Sequence, residues 1–383
     1  MNNNGTSRFR GPQQPSAADL SRISGTFLGD GEAPLVSVII PAYRCAEYIA
    51  QTIESILSQS FTDYEIVIIN DGSPDTALLE KVLEPYREKI CYLKQGTRGP
   101  SGARNTGILK ARGKYVAFLD SDDYWGPDHL SKHMGMLKRD QALDLVYCDY
   151  FLVKAEKPSA RAFSVEPQSP PINFDSLLVE RCTIGTSTTV ISRATIIGAG
   201  LFDESLMRCE DFDMWLRLAF GGARMAYHSD APVFHRITES GLSADRWSMK
   251  KDRIRVYEKM ASTLPISVEQ LETIHQLIKK AEADCHIDEL KHAVERGDYE
   301  AAQEAMDRAR AIKDRWKLKF SAFALKLAPG LFRRFHLARA RHLAPGNDHA
   351  NEDFAAEFTN DGNAKSGENQ QSPVHASKVE DSE

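Results

Sequence analysis

The sequence has no closely spaced cysteine pair, no GxxxxGK[ST] loop, no GxGxxG after a strand, no long apolar run and no surplus of positive charge. Each absence removes a class of protein. Six cysteines (Cys45, Cys91, Cys148, Cys182, Cys209, Cys285) are scattered without CxxC spacing, which argues against a zinc ribbon or disulfide scaffold and predicts reduced core thiols. No window approaches the roughly 18 apolar residues of a membrane span. The opening MNNNGTSRFRGPQQPSAADLSRISG has no apolar h-region, so no signal peptide is expected and the cytoplasm is the expected compartment. With 48 basic and 54 acidic residues the net charge is −6, so no chain-wide field for nucleic acid exists and no nucleic-acid partner is expected. The two missing glycine loops count against a P-loop nucleotidase and a dinucleotide-dependent dehydrogenase.

What is present is globular: 383 residues, 42% hydrophobic and 27% charged. Residues 1–33 and 346–383 are polar and read as a disordered arm and a disordered acidic tail; from Asp348 onward the tail carries a net charge of −7. Between Leu35 and Tyr150, β-branched runs alternate with amphipathic stretches. Strands are predicted at Val36–Ile40, Tyr64–Ile69, Cys91–Leu93, Tyr115–Leu119 and Leu143–Tyr147. Helices are predicted over Glu47–Gln59, Ala77–Lys89, Ser101–Arg112 and Pro127–Arg139. That alternation implies βαβ units and a parallel sheet covered on both faces. A Pro-rich irregular stretch follows, and 245–345 reads as helical.

Ligands of open α/β sheets bind beyond the carboxyl ends of the strands, and the polar clusters fall there. Asp120 and Asp122 lie two apart in an extended segment and face one side; paired oxygens at that point suit a hard divalent cation. A turn, with Asp123 capping the next helix, is the other reading. Asp71 fits either a hydrogen-bond acceptor for a ligand or an Asp-Gly turn. Tyr43 fits either a stacking platform or a half-buried aromatic. Arg104 and Asn105 open a helix, where N–H groups and a guanidinium favour phosphate, as a solvated first turn also would. Glu210 and Asp211 open another helix, either complementing its dipole or supplying a general base.

Taken together, seven segments resemble the family 2 glycosyltransferases over roughly Leu35–Ser243: Val36-Ser-Val-Ile-Ile-Pro-Ala-Tyr43, Ser55-Ile-Leu-Ser-Gln-Ser-Phe61, Glu65-Ile-Val-Ile-Ile-Asn-Asp-Gly-Ser73, Ala103-Arg-Asn-Thr-Gly107, Gly113-Lys-Tyr-Val-Ala-Phe-Leu-Asp-Ser-Asp-Asp123, Gly200-Leu-Phe-Asp-Glu-Ser-Leu206 and Glu210-Asp-Phe-Asp-Met-Trp-Leu-Arg217. The resemblance implies an α/β fold of the GT-A type (Rossmann-like, a mostly parallel sheet flanked by helices) over 34–244, with a C-terminal α-helical extension over 245–345. It implies an inverting transferase using a nucleotide-diphosphate sugar, by family frequency a UDP-sugar. Pro41, Ala42, Tyr43 and Asp71 would line the nucleoside pocket and Arg104 would contact the nucleotide. Asp120, Ser121 and Asp122 would form the DxD motif, with Asp122 on Mn2+ or Mg2+, and Asp211 would be the catalytic base. Where the family often places a metal- or phosphate-binding His, this sequence has Thr238, and His235 three residues earlier is the candidate substitute. The implied acceptor is a hydroxyl of a glycan or lipid-linked sugar in surface polysaccharide synthesis, with contacts expected from Thr183–Thr189 and the Pro-rich stretch. The competing readings are transfer to a polyprenyl phosphate, a non-catalytic nucleotide-sugar or glycan-binding module, and a nucleotidyltransferase.

Residues 313–341 carry nine Lys or Arg against one Asp, interleaved with large apolar residues and split by Pro329-Gly330. A basic amphipathic segment over 313–343 suits the anionic inner face of a membrane. A solvated face over a helical core and a homodimer contact are the alternatives.

Overall fold

The computed structural model describes residues 24–26, 32–154, 157–165, 168–238, 241, 245–313 and 316–342. Its first half follows the alternation in the sequence. Strand β1 (Ser24–Thr26) is followed by β2 (Val36–Ala42), helix α1 (Ile49–Leu57), β3 (Tyr64–Asp71), α2 (Thr76–Leu83), β4 (Ile90–Gln95), α3 (Gly99–Lys110), β5 (Tyr115–Phe118), β6 (Tyr124–Trp125) and α4 (His129–Arg139). The second half contributes β7 (Leu145–Lys154), β8 (Lys157–Arg161), β9 (Thr189–Ser192), α5 (Glu210–Phe220) and β10 (Met225–Arg236). Five helices close the described chain: α6 (Arg246–Thr263), α7 (Val268–Arg296), α8 (Tyr299–Ile312), α9 (Trp316–Leu327) and α10 (Pro329–His342).

The sheet runs β1-β4-β3-β2-β5-β9-β7-β10-β6, with β8 on β7. β4, β3, β2 and β5 are parallel, as expected. β9 then runs antiparallel to both β5 and β7, which makes the sheet mixed. Helices cover both faces, so the parallel strands are apolar on both sides. Within β2, Ile39 joins the core with α3, α5 and α6, while Val38 and Ile40 join the core with α1, α2 and α4.

Ser24–Thr26 corrects the expectation of disorder for 1–33 at these three residues. They pair antiparallel with Tyr92–Lys94, closing the hydrogen-bonding edge that β4 would otherwise expose. The rest of the arm, except 32–33, and the acidic tail lie outside the described residues. The chain divides into two compact units, 1–285 and 286–383. Val256, Tyr257 and Met260 of α6 and Ile274 of α7 are buried in the first unit's core, so that unit extends well past the boundary expected at 244.

Candidate active site

The carboxyl ends of β2, β3 and β5 put three polar loops at one rim of the sheet. Pro41 and Ala42 end β2, and Tyr43 follows, 46% exposed. Arg44 is left-handed, with φ 51°, and its N–H donates to Ser73 Oγ at 2.7 Å. The Ala46 N–H donates to Asp75 at 3.1 Å. These bonds tie the loop after β2 to the loop after β3. Asp71 is buried there. Its Oδ1 accepts from Gln95 Nε2 at 2.7 Å and from the Arg98 N–H at 2.9 Å. Burial raises its pKa above the usual carboxylate range, against the pull of these bonds. Gly72, with φ 66°, makes the turn. The Gly99 N–H bonds the same carboxylate, so Asp71 anchors the loop through β4 and the start of α3.

The loop after β5 is a tight turn in which the Asp123 N–H donates to the Asp120 carbonyl at 3.0 Å. Asp123 is fully buried. It accepts from Ser187 Oγ at 2.6 Å and from the Arg236 N–H at 3.0 Å, and it pairs with His235 Nδ1 at 3.0 Å. It is not the helix cap expected from the sequence; Asp128 holds the N-cap position of α4. Ser121 is buried too: its carbonyl accepts from Thr52 and its hydroxyl bonds the Cys45 thiol. Asp122 differs from both neighbours: among the described residues no side-chain donor bonds its carboxylate, and its charge is offset only by its own backbone N–H and by His235 nearby. Burial raises it to about 7, and Asp123 and Asp120 add to the effect. A partly buried carboxylate beside two others, all able to ligate through oxygen, fits a hard divalent cation. The His235 imidazole is raised to about 9, chiefly by Asp123. Its Nδ1 is committed to Asp123, so the Nε2–H is left to donate to a phosphate, and the ring would have to give up that proton to ligate a cation.

Helix α5 brings the fourth loop. Cys209 before it is left-handed, with φ 57°, an uncommon conformation for a residue with a Cβ. It sets Glu210 and Asp211 at the helix start. Asp211 Oδ2 accepts from Thr186 Oγ1 at 3.1 Å, and its Oδ1 accepts the Phe212 N–H at 2.7 Å. Ser187, the next residue along from Thr186, accepts the Asp120 N–H at 3.1 Å as well as bonding Asp123. Two adjacent hydroxyls thus join the base candidate to the DxD loop. The sequence marked 183–189 only for acceptor contacts. The positioning role of Thr186 and Ser187 carried no local signal.

Arg104 differs from expectation. It is buried, and its two arms are taken by Asp120 and Glu210, each at 2.6 Å. The planar guanidinium suits two carboxylates at once, so Arg104 braces the site instead of presenting a free arm to a nucleotide. Asn105 also turns inward, bonding the backbone of Phe202.

Residues 37–191 match the family model described as Glycosyl transferase family 2. A UDP-Glc:alpha-D-GlcNAc-diphosphoundecaprenol beta-1,3-glucosyltransferase of Escherichia coli is 30% identical over 56% of this chain and 81% of its own. An uncharacterized glycosyltransferase of Rickettsia prowazekii is 34% identical over 48% of this chain, which spans 58% of that relative's length. Among solved structures, S. aureus TarS 1-349 in complex with UDP-GlcNAc superposes with a TM-score of 0.53 at 18% identity, over 80% of this chain and 91% of its own. That likeness is one of fold, and it agrees with a GT-A-type sheet. The family model, the shared length with the E. coli enzyme and the ordered motifs agree: the chain belongs to the family 2 glycosyltransferases.

Proposed function

We propose that the protein is a divalent-metal-dependent, inverting glycosyltransferase. It moves a sugar from a nucleotide-diphosphate donor, a UDP-sugar, to a hydroxyl of a glycan or lipid-linked acceptor in surface-polysaccharide synthesis on the cytoplasmic side of the membrane. The carrying observation is the double brace between the DxD loop and α5: Arg104 from Asp120 to Glu210, and Thr186–Ser187 from Asp211 to Asp123. A structural turn needs no such connection, whereas a donor site and a base that act on one bond must be held in register. The E. coli relative, whose name gives UDP-Glc as donor and a diphosphoundecaprenol-linked sugar as acceptor, supports the donor and acceptor classes.

In this reading Tyr43 stacks on the base and Asp71 accepts a hydrogen bond from the nucleoside. Asp122, with Asp120 and His235 beside it, would hold Mn2+ or Mg2+. That cation would supply Lewis-acid neutralisation of the departing diphosphate. Asp211 takes the proton of the acceptor hydroxyl as its oxygen attacks the anomeric carbon. The anomeric C–O bond to the diphosphate breaks with its electron pair leaving on the nucleotide, and the new bond forms on the opposite face. Thr186 keeps the receiving carboxylate aimed.

The test is thermal stability against a panel of nucleotide sugars, with and without Mn2+, followed by assay of nucleoside diphosphate release. A ligand of the native state raises the melting temperature. The expected result is a manganese-dependent shift with one UDP-sugar, lost in Asp122→Ala. Absence of a shift with every nucleotide overturns the donor assignment.

A further inference from the structure

The second unit, taken by itself, has an unpartnered apolar row. Helix α9 and helix α10 pack on the end of α7 and on α8 through Ala322, Leu325 and Phe332, which meet Ile287, Leu290 and Met306. Helical hydrogen bonds continue through the Pro-Gly step, with the Ala328 N–H donating to Ala324 and the Phe332 N–H to Ala328. Away from that core stand Phe323, Leu327, Leu331 and Phe335, exposed by 62%, 67%, 69% and 66%. They recur every fourth residue, the spacing of one helical face. Other large apolar residues exposed in the described chain, such as Tyr43, Leu78 and Val179, are well separated along the sequence, which is ordinary for a protein surface.

We propose that this row docks on an anionic lipid bilayer. Charge selects the occupant. Residues 313–341 carry a net +8, and Lys326 and Arg334, each next to a member of the row, are exposed. A second copy would bring one +8 segment against another, with like charges in opposition. The chain's own acidic tail has the right charge, but its 38 residues hold only Phe354, Phe358, Val374 and Val379 as large apolar side chains, too few and too scattered to cover the row. A bilayer surface offers phosphates to the cations and, about 5–10 Å below, acyl chains to the row. Among the described residues no helix is long and apolar enough to cross a membrane, so the contact lies along the surface. This corrects the picture of one amphipathic face over 313–343. Among the described side chains, Leu325 and Phe332 belong to the helical core, and Phe323, Leu327, Leu331 and Phe335 face outward.

The inference stands apart from the transferase reading, because it is tested without donor or acceptor. The full chain is floated with phosphatidylglycerol or phosphatidylcholine vesicles at low and high salt. The expected result is binding to phosphatidylglycerol at least about tenfold tighter than to phosphatidylcholine, weakened by salt. Phe323→Ser with Leu331→Ser should reduce it about tenfold or more, with the melting temperature unchanged because neither side chain enters the core. Lys326→Glu with Arg334→Glu should reduce it to a similar extent. Equal binding to both lipids, no binding to either, or serine variants that float like wild type would overturn the proposal. So would a wild-type dimer in solution that the serine variants dissolve, since the row would then be covered by a second copy.

Discussion

Arg104 and Glu210 meet at 2.6 Å although 106 residues separate them in the chain. The same guanidinium holds Asp120 at 2.6 Å with its other arm. Two carboxylates of separate loops, one in the turn after β5 and one at the start of α5, therefore share a cation. Breaking a buried pair leaves charge without compensation, at about 3–5 kcal/mol. Arg104→Met should destabilise the fold by that order in urea unfolding. Arg104→Lys should recover part of it, because an ammonium keeps the charge but lacks the fork. If Arg104→Lys matched wild type in stability and turnover, a single point charge would suffice and the two-armed brace would not matter.

On the proposed reading, substitution of Asp211 separates catalysis from binding. Asn at 211 keeps the shape and one acceptor oxygen, for the Phe212 N–H, while its NH2 meets the Thr186 hydroxyl as a donor, and it is no base. Turnover should fall about 10²- to 10⁴-fold, while the thermal shift produced by the donor stays. Thr186→Val removes only the aiming hydroxyl, and a loss of about tenfold is expected. Retained turnover in Asp211→Asn would favour an acceptor that needs no proton removed, such as a phosphate.

The parallel half of the fold was legible because its strands are short β-branched runs and its helices keep their apolar period. β9 was not: Thr189–Ser192 is four residues emerging from a Thr- and Ser-rich loop. β10 begins Met-Ala-Tyr-His-Ser-Asp, without alternation, and its register with β7 breaks between His228 and Val233. Asp71, Asp120, Asp122 and Asp211 stand out in the sequence by their strand and helix ends, and the structure places each of them at such an end. The job of Arg104 was not, because its partners lie 16 and 106 residues away and nothing local distinguishes a brace from a ligand contact. The inward turn of Leu325 and Phe332 was hidden for a similar reason. Helical spacing fixes which residues share a face, and the packing partner fixes which face is buried.

Two glycines give predictions of opposite sign. Gly107 in α3 lies against the sheet, where a Cβ would fall 2.5 Å from Ile39 Cγ2 and 2.9 Å from Ile69 Cδ1. Both isoleucines are fully buried, so Gly107→Ala should cost about 1–3 kcal/mol despite better helix propensity. Gly135 in α4 has open space at its Cβ position, and Gly135→Ala should stabilise by about 0.5–1 kcal/mol. Paired denaturant titrations read both signs.

Acid should unfold the first unit through α4. His129 and His133 are fully buried beside Cys148, with His129 Nδ1 3.7 Å from its sulfur. The His129 ring stacks on Trp125 at 4.1 Å, and His133 lies 4.8 Å from His228. Burial holds His129 well below the ordinary histidine range. It also lowers His133 to about 3, although two backbone carbonyls face that ring and pull the other way. In the unfolded chain both rings titrate near 6.5. Their contribution is therefore fully present above pH 6.5. It declines as pH falls from there toward 3, because only the unfolded state takes up the protons. Each ring adds a slope of about 1.4 kcal/mol per pH unit, or about 2.7 for the two. His129→Phe keeps a ring against Trp125 and removes one titrating site, so between pH 6 and 4.5 the loss of stability per pH unit should be smaller than in wild type by about 1.4 kcal/mol, whatever the raised carboxylates contribute to both proteins. An unchanged slope in that variant would mean that His129 is already protonated in the folded protein.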